Sequence, residues 1–385
     1  MNQKKKFMKH IKTLLIIAIL LSQTLFAQVK LPIIKATSKS VDVRDGNTFR
    51  KNAWNISPEI KPDIYTTPFK HVNVTFYTDI DSISFLVETD KKYDFMVLLN
   101  GKDTAYTQIK YEPSYLEKLK IAYKYDFTDT RVTPKFTYQS MNDTNLVVLR
   151  KRYKLDSIAG MGNETLKIIN LMHWVHNLIP HDGQHENTTV KNALSMIPEC
   201  SRDKRGLNCR GLAIVLNECY LAMGFKSRYV TCMPKDSVFE DCHVINMVYS
   251  NMLNKWIWMD PTNNAYVMNE NGELLSIEEV RANLIGDKPL ILNPDANWNN
   301  SSSITKAWYL YSYMAKNLYR MECPLNSIFD NETWKKDKVV SFMELVPLDA
   351  YLQNPQKEEH TNAKTGTTFI NYKTNNPATF WAKPE

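Results

Sequence analysis

An apolar run that opens on a cysteine and closes on a glycine constrains this chain more than any other segment. In Gly206-Leu207-Asn208-Cys209-Arg210-Gly211-Leu212-Ala213-Ile214-Val215-Leu216-Asn217-Glu218-Cys219-Tyr220-Leu221-Ala222-Met223-Gly224, the residues Leu212, Val215, Leu216, Cys219 and Met223 recur at three- and four-residue spacing. That period predicts a helix, and Gly224 suits the left-handed position just beyond its end. Cys209 then sits at the helix N-terminus. There the unpaired N–H groups and the helix dipole favour thiolate over thiol, and Arg210 adds a positive charge next door. Cysteine is also among the most buried residue types, so a nucleophilic reading needs a base.

A base is available downstream. Lys226 to Cys232 reads as a strand, a polar loop runs from Pro234 to Cys242, and His243 opens a second strand through Tyr249. A turn at Asn251 to Lys255 leads into Trp256-Ile257-Trp258-Met259-Asp260-Pro261-Thr262, where Pro261 ends a third strand and leaves Asp260 at its tip. Paired as a hairpin, the last two strands bring Asp260 beside His243. The set supplies the three roles of thiol catalysis: Cys209 to attack, His243 to accept and return the proton, and Asp260 to hold the imidazole tautomer.

This order of Cys, His and Asp-Pro-Thr resembles the transglutaminase-like superfamily. The resemblance rests on Asn208-Cys209-Arg210-Gly211, Leu221-Ala222-Met223-Gly224-Phe225-Lys226-Ser227-Arg228-Tyr229-Val230, His243, and Lys255-Trp256-Ile257-Trp258-Met259-Asp260-Pro261-Thr262. It covers roughly residues 145 to 290 and implies a papain-like α+β domain, with the cysteine helix packed on an antiparallel sheet. It also implies Cys209 as nucleophile, His243 as general base and acid, and Asp260 as the orienting carboxylate. Many members carry an aromatic residue two positions after the histidine, where this chain has Ile245.

Ahead of this domain, residues 1–27 read as a signal peptide: Lys4, Lys5, Lys6, Lys9 and Lys12 precede an apolar run from Leu14 to Leu21 too short to span a membrane comfortably. The expected location is therefore exported, with no stable membrane insertion after cleavage. The segment carries five lysines and no acids, so the remaining 43 basic residues nearly balance 41 acidic ones. The whole-chain excess of +7 thus gives no support to nucleic-acid binding.

Residues 28–140 read as a β-rich accessory domain, since Val72, Val74 and Phe76, then Ile83, Phe85 and Val87, then Tyr93, Phe95, Val97 and Leu99 alternate before the hairpin signal Asn100-Gly101. A small β-sandwich is the expectation. Aromatic residues such as Trp54, Tyr65, Phe76 and Tyr77 are expected in its core rather than on a binding face. The catalytic domain spans 141–295, with Asn163-Glu164 starting a helix to about Leu178 and Ser276-Ile277-Glu278-Glu279 forming a capping box. Residues 296–385 are expected to pack on it as an extension, comprising an aromatic helix near 304–320, a strand near 339–346 and exposed loop from Gln353 to Thr368.

Four of the eight histidines, His173, His176, His181 and His185, cluster within thirteen residues and raise a rival metal reading. Their spacing matches no familiar zinc motif, and no metal or other cofactor is expected. His181 or Asp182 is instead placed along the cleft. Of the six cysteines, a reactive Cys209 leaves five, so Cys200, Cys219, Cys232, Cys242 and Cys323 allow at most two disulfides. The expected reaction is acyl transfer at a peptide or side-chain amide through a Cys209 thioester, with hydrolysis ahead of cross-linking. The partner is a protein or peptide substrate, cell-wall and glycan-linked material included. An idle triad in a surface module that binds glycan or peptide is the alternative from another class.

Overall fold

Period-two alternation in the N-terminal region becomes eight strands: β1 (Ile33–Ala36), β2 (Ser40–Asp45), β3 (Thr48–Asn55), β4 (Asp63–Thr67), β5 (Val72–Tyr77), β6 (Ser82–Val87), β7 (Lys92–Leu99) and β8 (Asp103–Tyr111). The computed structural model describes residues 31–122, 124–235, 241–354 and 356–385, so the expected signal segment and the centre of the Pro234 to Cys242 loop lie outside the described residues. The strands form two four-stranded sheets, ordered β1-β7-β8-β4 and β3-β2-β5-β6. Val43, Val74 and Phe76 of one sheet share a core with Phe95, Val97 and Ile109 of the other. Trp54 and Tyr65 pack edge-on against Phe76, while Tyr77 is exposed. Asn100 and Gly101 take positive φ between β7 and β8, as their hairpin signal requires.

The chain divides into two units between Pro113 and Ser114, not near residue 140. The physical reason is Leu119, which is buried in the core of the second unit together with Val280 and Tyr309. Tyr138 reinforces the division, since the short strand β9 (Thr137–Tyr138) pairs within the second unit.

In that unit follow β10 (Ser227–Met233), β11 (His243–Ser250), β12 (Lys255–Met259), β13 (Val267–Met268), β14 (Ile291–Leu292), β15 (Asn297–Trp298) and β16 (Ser302–Ser303). The C-terminal region adds β17 (Arg320–Pro324), β18 (Asn326–Ser327), β19 (Val339–Leu345), β20 (Lys357–Thr361) and β21 (Thr368–Thr374). One seven-stranded sheet, ordered β12-β11-β10-β17-β19-β21-β20, organises the unit. Its neighbours are antiparallel except β19 and β21, which run parallel.

Helices cover both faces. Leu146, Leu149, Ile168 and Leu171, with the cysteine helix Cys209–Ala222, pack on Tyr229, Val244, Val248, Ile257 and Met259. On the other face Leu119, Val280, Tyr309 and Leu310 pack on Val230, Ile245, Met247 and Trp258. Double coverage explains why β10 and β11 are buried at every position and read as continuous apolar runs. The cysteine helix is likewise buried on all sides from Gly211 to Ala222. Two of its polar residues reach neighbouring segments: the Glu218 carboxylate accepts from the backbone N–H of Ala193 at 2.7 Å and of Asp330 at 2.9 Å, and the Asn217 amide donates to Ser327 at 3.0 Å.

Two further expectations are corrected. Residues 296–385 are not an added extension: β17, β19, β20 and β21 supply four of the seven strands, and β20 lies inside the stretch expected as loop. The aromatic helix is short α-helix at Lys306–Trp308 and Ala315–Asn317 around a π-helical turn, Tyr309–Met314. Among the described residues no helix is long and apolar enough to cross a membrane. Trp258 is fully buried between sheet and Tyr309. Trp258→Ala should therefore lower the unfolding free energy by about 3–5 kcal/mol in denaturant titration, against well under about half of that for exposed Trp308→Ala.

Candidate active site

The cysteine helix starts where the sequence places it, because Asn208 caps it. Asn208 Oδ1 accepts from the Gly211 N–H at 3.2 Å, and Asn187 holds Asn208 from both sides, donating to its Oδ1 at 2.7 Å and accepting from its N–H at 3.0 Å. Cys209 thus presents its sulfur from the first helical turn, half-buried. At the other end Gly224 adopts a φ of +85°, the left-handed position that ends the helix.

His243 comes from the start of β11 and Asp260 from the end of β12. The register pairs Asn246 with Met259, so the Asp260 position faces Ile245, and His243, two residues along, lies diagonally on the same face. His243 Nε2 and Asp260 Oδ2 are 2.7 Å apart, both residues essentially without solvent exposure. Asp260 collects four further donors: the N–H groups of Thr262 at 2.9 Å and Asn263 at 3.2 Å on Oδ1, and the Asn263 amide at 2.9 Å and the Tyr309 hydroxyl at 2.6 Å on Oδ2. Burial alone would raise this carboxyl, but the His243 charge and these donors hold it below its ordinary value. His243 Nδ1 is left to face the sulfur.

Burial would also raise the Cys209 thiol. Hydrogen bonds from His181 and His243, the charge of His243 and the Val244 N–H outweigh it and bring the thiol down to about 6. Burial pulls His243 down, yet Asp260 and Cys209 together lift it to about 10. Between these values the stable form is a thiolate beside an imidazolium.

His181 is the member that motif reasoning placed only along the cleft. Its segment forms a parallel bridge with Leu207, through Asp182 N–H to Leu207 O at 2.8 Å and Leu207 N–H to Pro180 O at 3.1 Å. Gly206 permits this approach, since a Cβ there would lie 2.4 Å from Pro180 O. The Trp298 indole N–H donates to His181 Nδ1 at 3.1 Å, which puts the ring proton on Nε2 and aims a donor at Cys209. The four histidines otherwise serve separate partners. His176 bridges Pro261 O and Asn297, His173 lies 3.4 Å from Asp295, and His185 pairs with Asp182. Among the described residues no group of three or more His, Cys, Asp or Glu side chains is placed to hold a metal ion.

Arg210 does not turn toward the thiol as expected. Its guanidinium meets Glu332 through two hydrogen bonds of 2.7 Å and donates to Thr231 at 3.0 Å. All six cysteines are free thiols. Tyr309 was not visible as a site residue, because nothing in its local spacing separates it from Tyr311 or Tyr313. A cleft of about 490 Å³ adjoins the site, lined by Asn263, Trp298, Ser302, Ser303, Thr305 and Trp308. Trp308 stacks on Tyr313, whose ring packs 5.2 Å from that of His243.

A helix-end thiolate engaged by an imidazole that a carboxylate backs is the machinery of a thiol enzyme. Residues 151–261 match the family model of the transglutaminase-like superfamily. Among solved structures it is similar to a provisionally named cysteine protease from Cytophaga hutchinsonii, at 22% identity and a TM-score of 0.26, covering 36% of this chain and 43% of that one. The match thus spans under half of that protein. No curated protein matches the chain.

Iodoacetamide labelling of Cys209 should rise through about pH 6, because a lowered thiol is protonated only below that value. Loss of the imidazolium above about pH 10 should remove the pair from the other side. His243→Ala should move the labelling midpoint up toward the ordinary thiol range of about 8.5. Gly206→Ala, which pushes the His181 segment away, should shift it in the same direction by a smaller amount, read in the same assay.

Proposed function

We propose that this protein is an exported thiol hydrolase that cleaves peptide or side-chain amide bonds through a Cys209 thioester. The observation that carries the reading is the thiolate of Cys209 set against His243, with His243 held by a carboxylate that four other donors fix in place. The Cys209 sulfur attacks the amide carbonyl carbon. As the tetrahedral intermediate collapses, His243 gives its proton to the leaving nitrogen, and the amine departs from the acyl-enzyme. Water then attacks the thioester while His243 takes its proton, and the acid leaves with the thiolate restored.

The negative charge on the carbonyl oxygen needs donors, and two are at hand: the Cys209 N–H at the helix start and His181 Nε2–H. Trp298 keeps His181 in the donating tautomer. Trp298 and Trp308 are 42% and 48% exposed along the cleft beside Asn263, so large apolar surface is available to the substrate. A papain-like arrangement of the catalytic unit and a sandwich of the two N-terminal sheets belong to the same reading. The lysines and the apolar run of residues 1–27 are what support the export part of this reading.

Purified protein incubated with a peptide library should release new termini by mass spectrometry. Added hydroxylamine should divert the thioester to a hydroxamate. Both signals should fall by about a thousandfold or more in Cys209→Ala and His243→Ala. His181→Ala should lower kcat by about 10²-fold with little change in KM, and His181→Gln, which keeps an N–H donor, should recover part of the loss. A protein whose Cys209 reacts as an ordinary thiol and yields no hydroxamate from any peptide would defeat the proposal.

A further inference from the structure

Both backbone polar groups of His181 end on one side chain. The bridge to Leu207 uses Pro180 O and the Asp182 N–H, as a parallel pairing does, and so turns the N–H and C=O of His181 itself to the opposite side. There Asn299 meets them: its Oδ1 accepts from the His181 N–H at 2.6 Å, and its Nδ2 donates to the His181 carbonyl at 3.0 Å. A side-chain amide thus stands in for a second neighbouring strand. Without it, two half-buried backbone groups would lose these partners.

Asn299 can do this because of the turn that carries it. At the tip of the β15–β16 hairpin, Asn299 and Asn300 take φ of +52° and +54°, and the Ser301 N–H closes on Trp298 O at 3.0 Å. Asparagine visits that left-handed region more readily than most residues. The hairpin is itself tied down. Asn300 donates to Asn177 Oδ1 at 2.8 Å, and Asn297 Oδ1 meets His176 Nε2 at 3.0 Å, both partners lying on the helix Glu164–Leu178. The Asn297 N–H donates at 2.9 Å to the carbonyl of Asn263, whose side-chain amide holds Asp260. Trp298, next to Asn299, adds the bond from its indole to His181 Nδ1. One short hairpin therefore fixes the backbone and the ring of His181 while hanging from the turn that holds Asp260. It lies beyond residues 151–261, so the family match does not supply it.

We propose that Asn299 is the positioning residue of the second imidazole: its clamp on the His181 backbone, together with the Trp298 indole, aims His181 Nε2–H at the Cys209 sulfur and at the oxyanion that forms beside it. A donor pays off only where its direction is set before the charge develops, and a displacement of about 1 Å forfeits much of the effect. The inference rests on the thiol-enzyme reading for the oxyanion alone, because the resting sulfur is already His181's partner.

The test uses the full chain and Asn299→Gly, which keeps the left-handed backbone and removes the amide. In the hydroxamate assay it should lower kcat about tenfold with KM within about twofold. In a His181→Ala background the same substitution should cost less than about twofold, because the residue it positions is already gone. Iodoacetamide labelling at about pH 6, where the thiol titrates, should slow in Asn299→Gly and not slow further when His181 is absent. Asn299→Asp, which keeps the backbone and the acceptor for the His181 N–H, should fall between Asn299→Gly and the wild type. Ring-nitrogen NMR should show His181 protonated on Nε2 in the wild type and exchanging between tautomers in Asn299→Gly. Equal losses with and without His181 make Asn299 a merely structural residue and overturn the proposal, as does an unchanged Nε2 tautomer and labelling rate in Asn299→Gly. A wild-type Cys209 that reacts as an ordinary thiol sinks the enzyme reading, and the NMR signature, which needs neither substrate nor reactive thiol, then decides the clamp by itself.

Discussion

The buried pair of His243 and Asp260 is the constraint around which the second unit is built. Two groups 2.7 Å apart and out of contact with water cost several kcal/mol to desolvate unless every remaining lone pair and proton is matched. The matching comes from three places: the turn after β12, through Thr262 and Asn263; the neighbouring strand, through His243; and the distant π-helical turn, through the Tyr309 hydroxyl. Removing any one of these leaves charge stranded in a dry interior, so the fold around Asp260 is specified from several directions at once. A π-turn widens the helix locally and sits where a single hydroxyl must reach a fixed point.

The sulfur is prepared by the same economy. Cys209 lies on a helix that is buried on all sides, which opposes charge on the thiol. Two imidazoles and a backbone N–H reverse that effect. They come from separate elements: His243 and Val244 from β11, and His181 from a segment docked on Leu207 and locked by the Trp298 indole. Arg210, the charge nearest in sequence, is spent on Glu332 instead. Proximity along the chain was a poor guide there, because a long side chain at a helix start is free to leave on either side of the first turn.

Much of the candidate site's local framework was legible from residue order. The apolar period between Leu212 and Met223, the Asn208 cap, the Gly224 stop and the strands around His243 and Asp260 are local signals, and a hairpin turns the last two into neighbours without further information. The capping residues Asn163 and Ser276 were equally readable, since a cap is decided within three residues. Tyr309, Trp298 and the partner of Arg210 were not, because each contact joins residues separated by 49 to 122 positions.

The sheet shows the same division most clearly. Its first three strands could be paired from the chain, whereas β17, β19, β20 and β21 join them from more than fifty residues away. A short polar strand such as Lys357–Thr361, exposed at every position, carries no periodicity to announce itself and exists because β21 offers it an open edge. Chemistry carried by short-range pattern was therefore set by the order of residues: a helix-end cysteine, a strand-edge histidine and a carboxylate before proline. Which donors surround that chemistry followed from packing among distant segments, since burial and hydrogen-bond satisfaction are properties of the assembled interior.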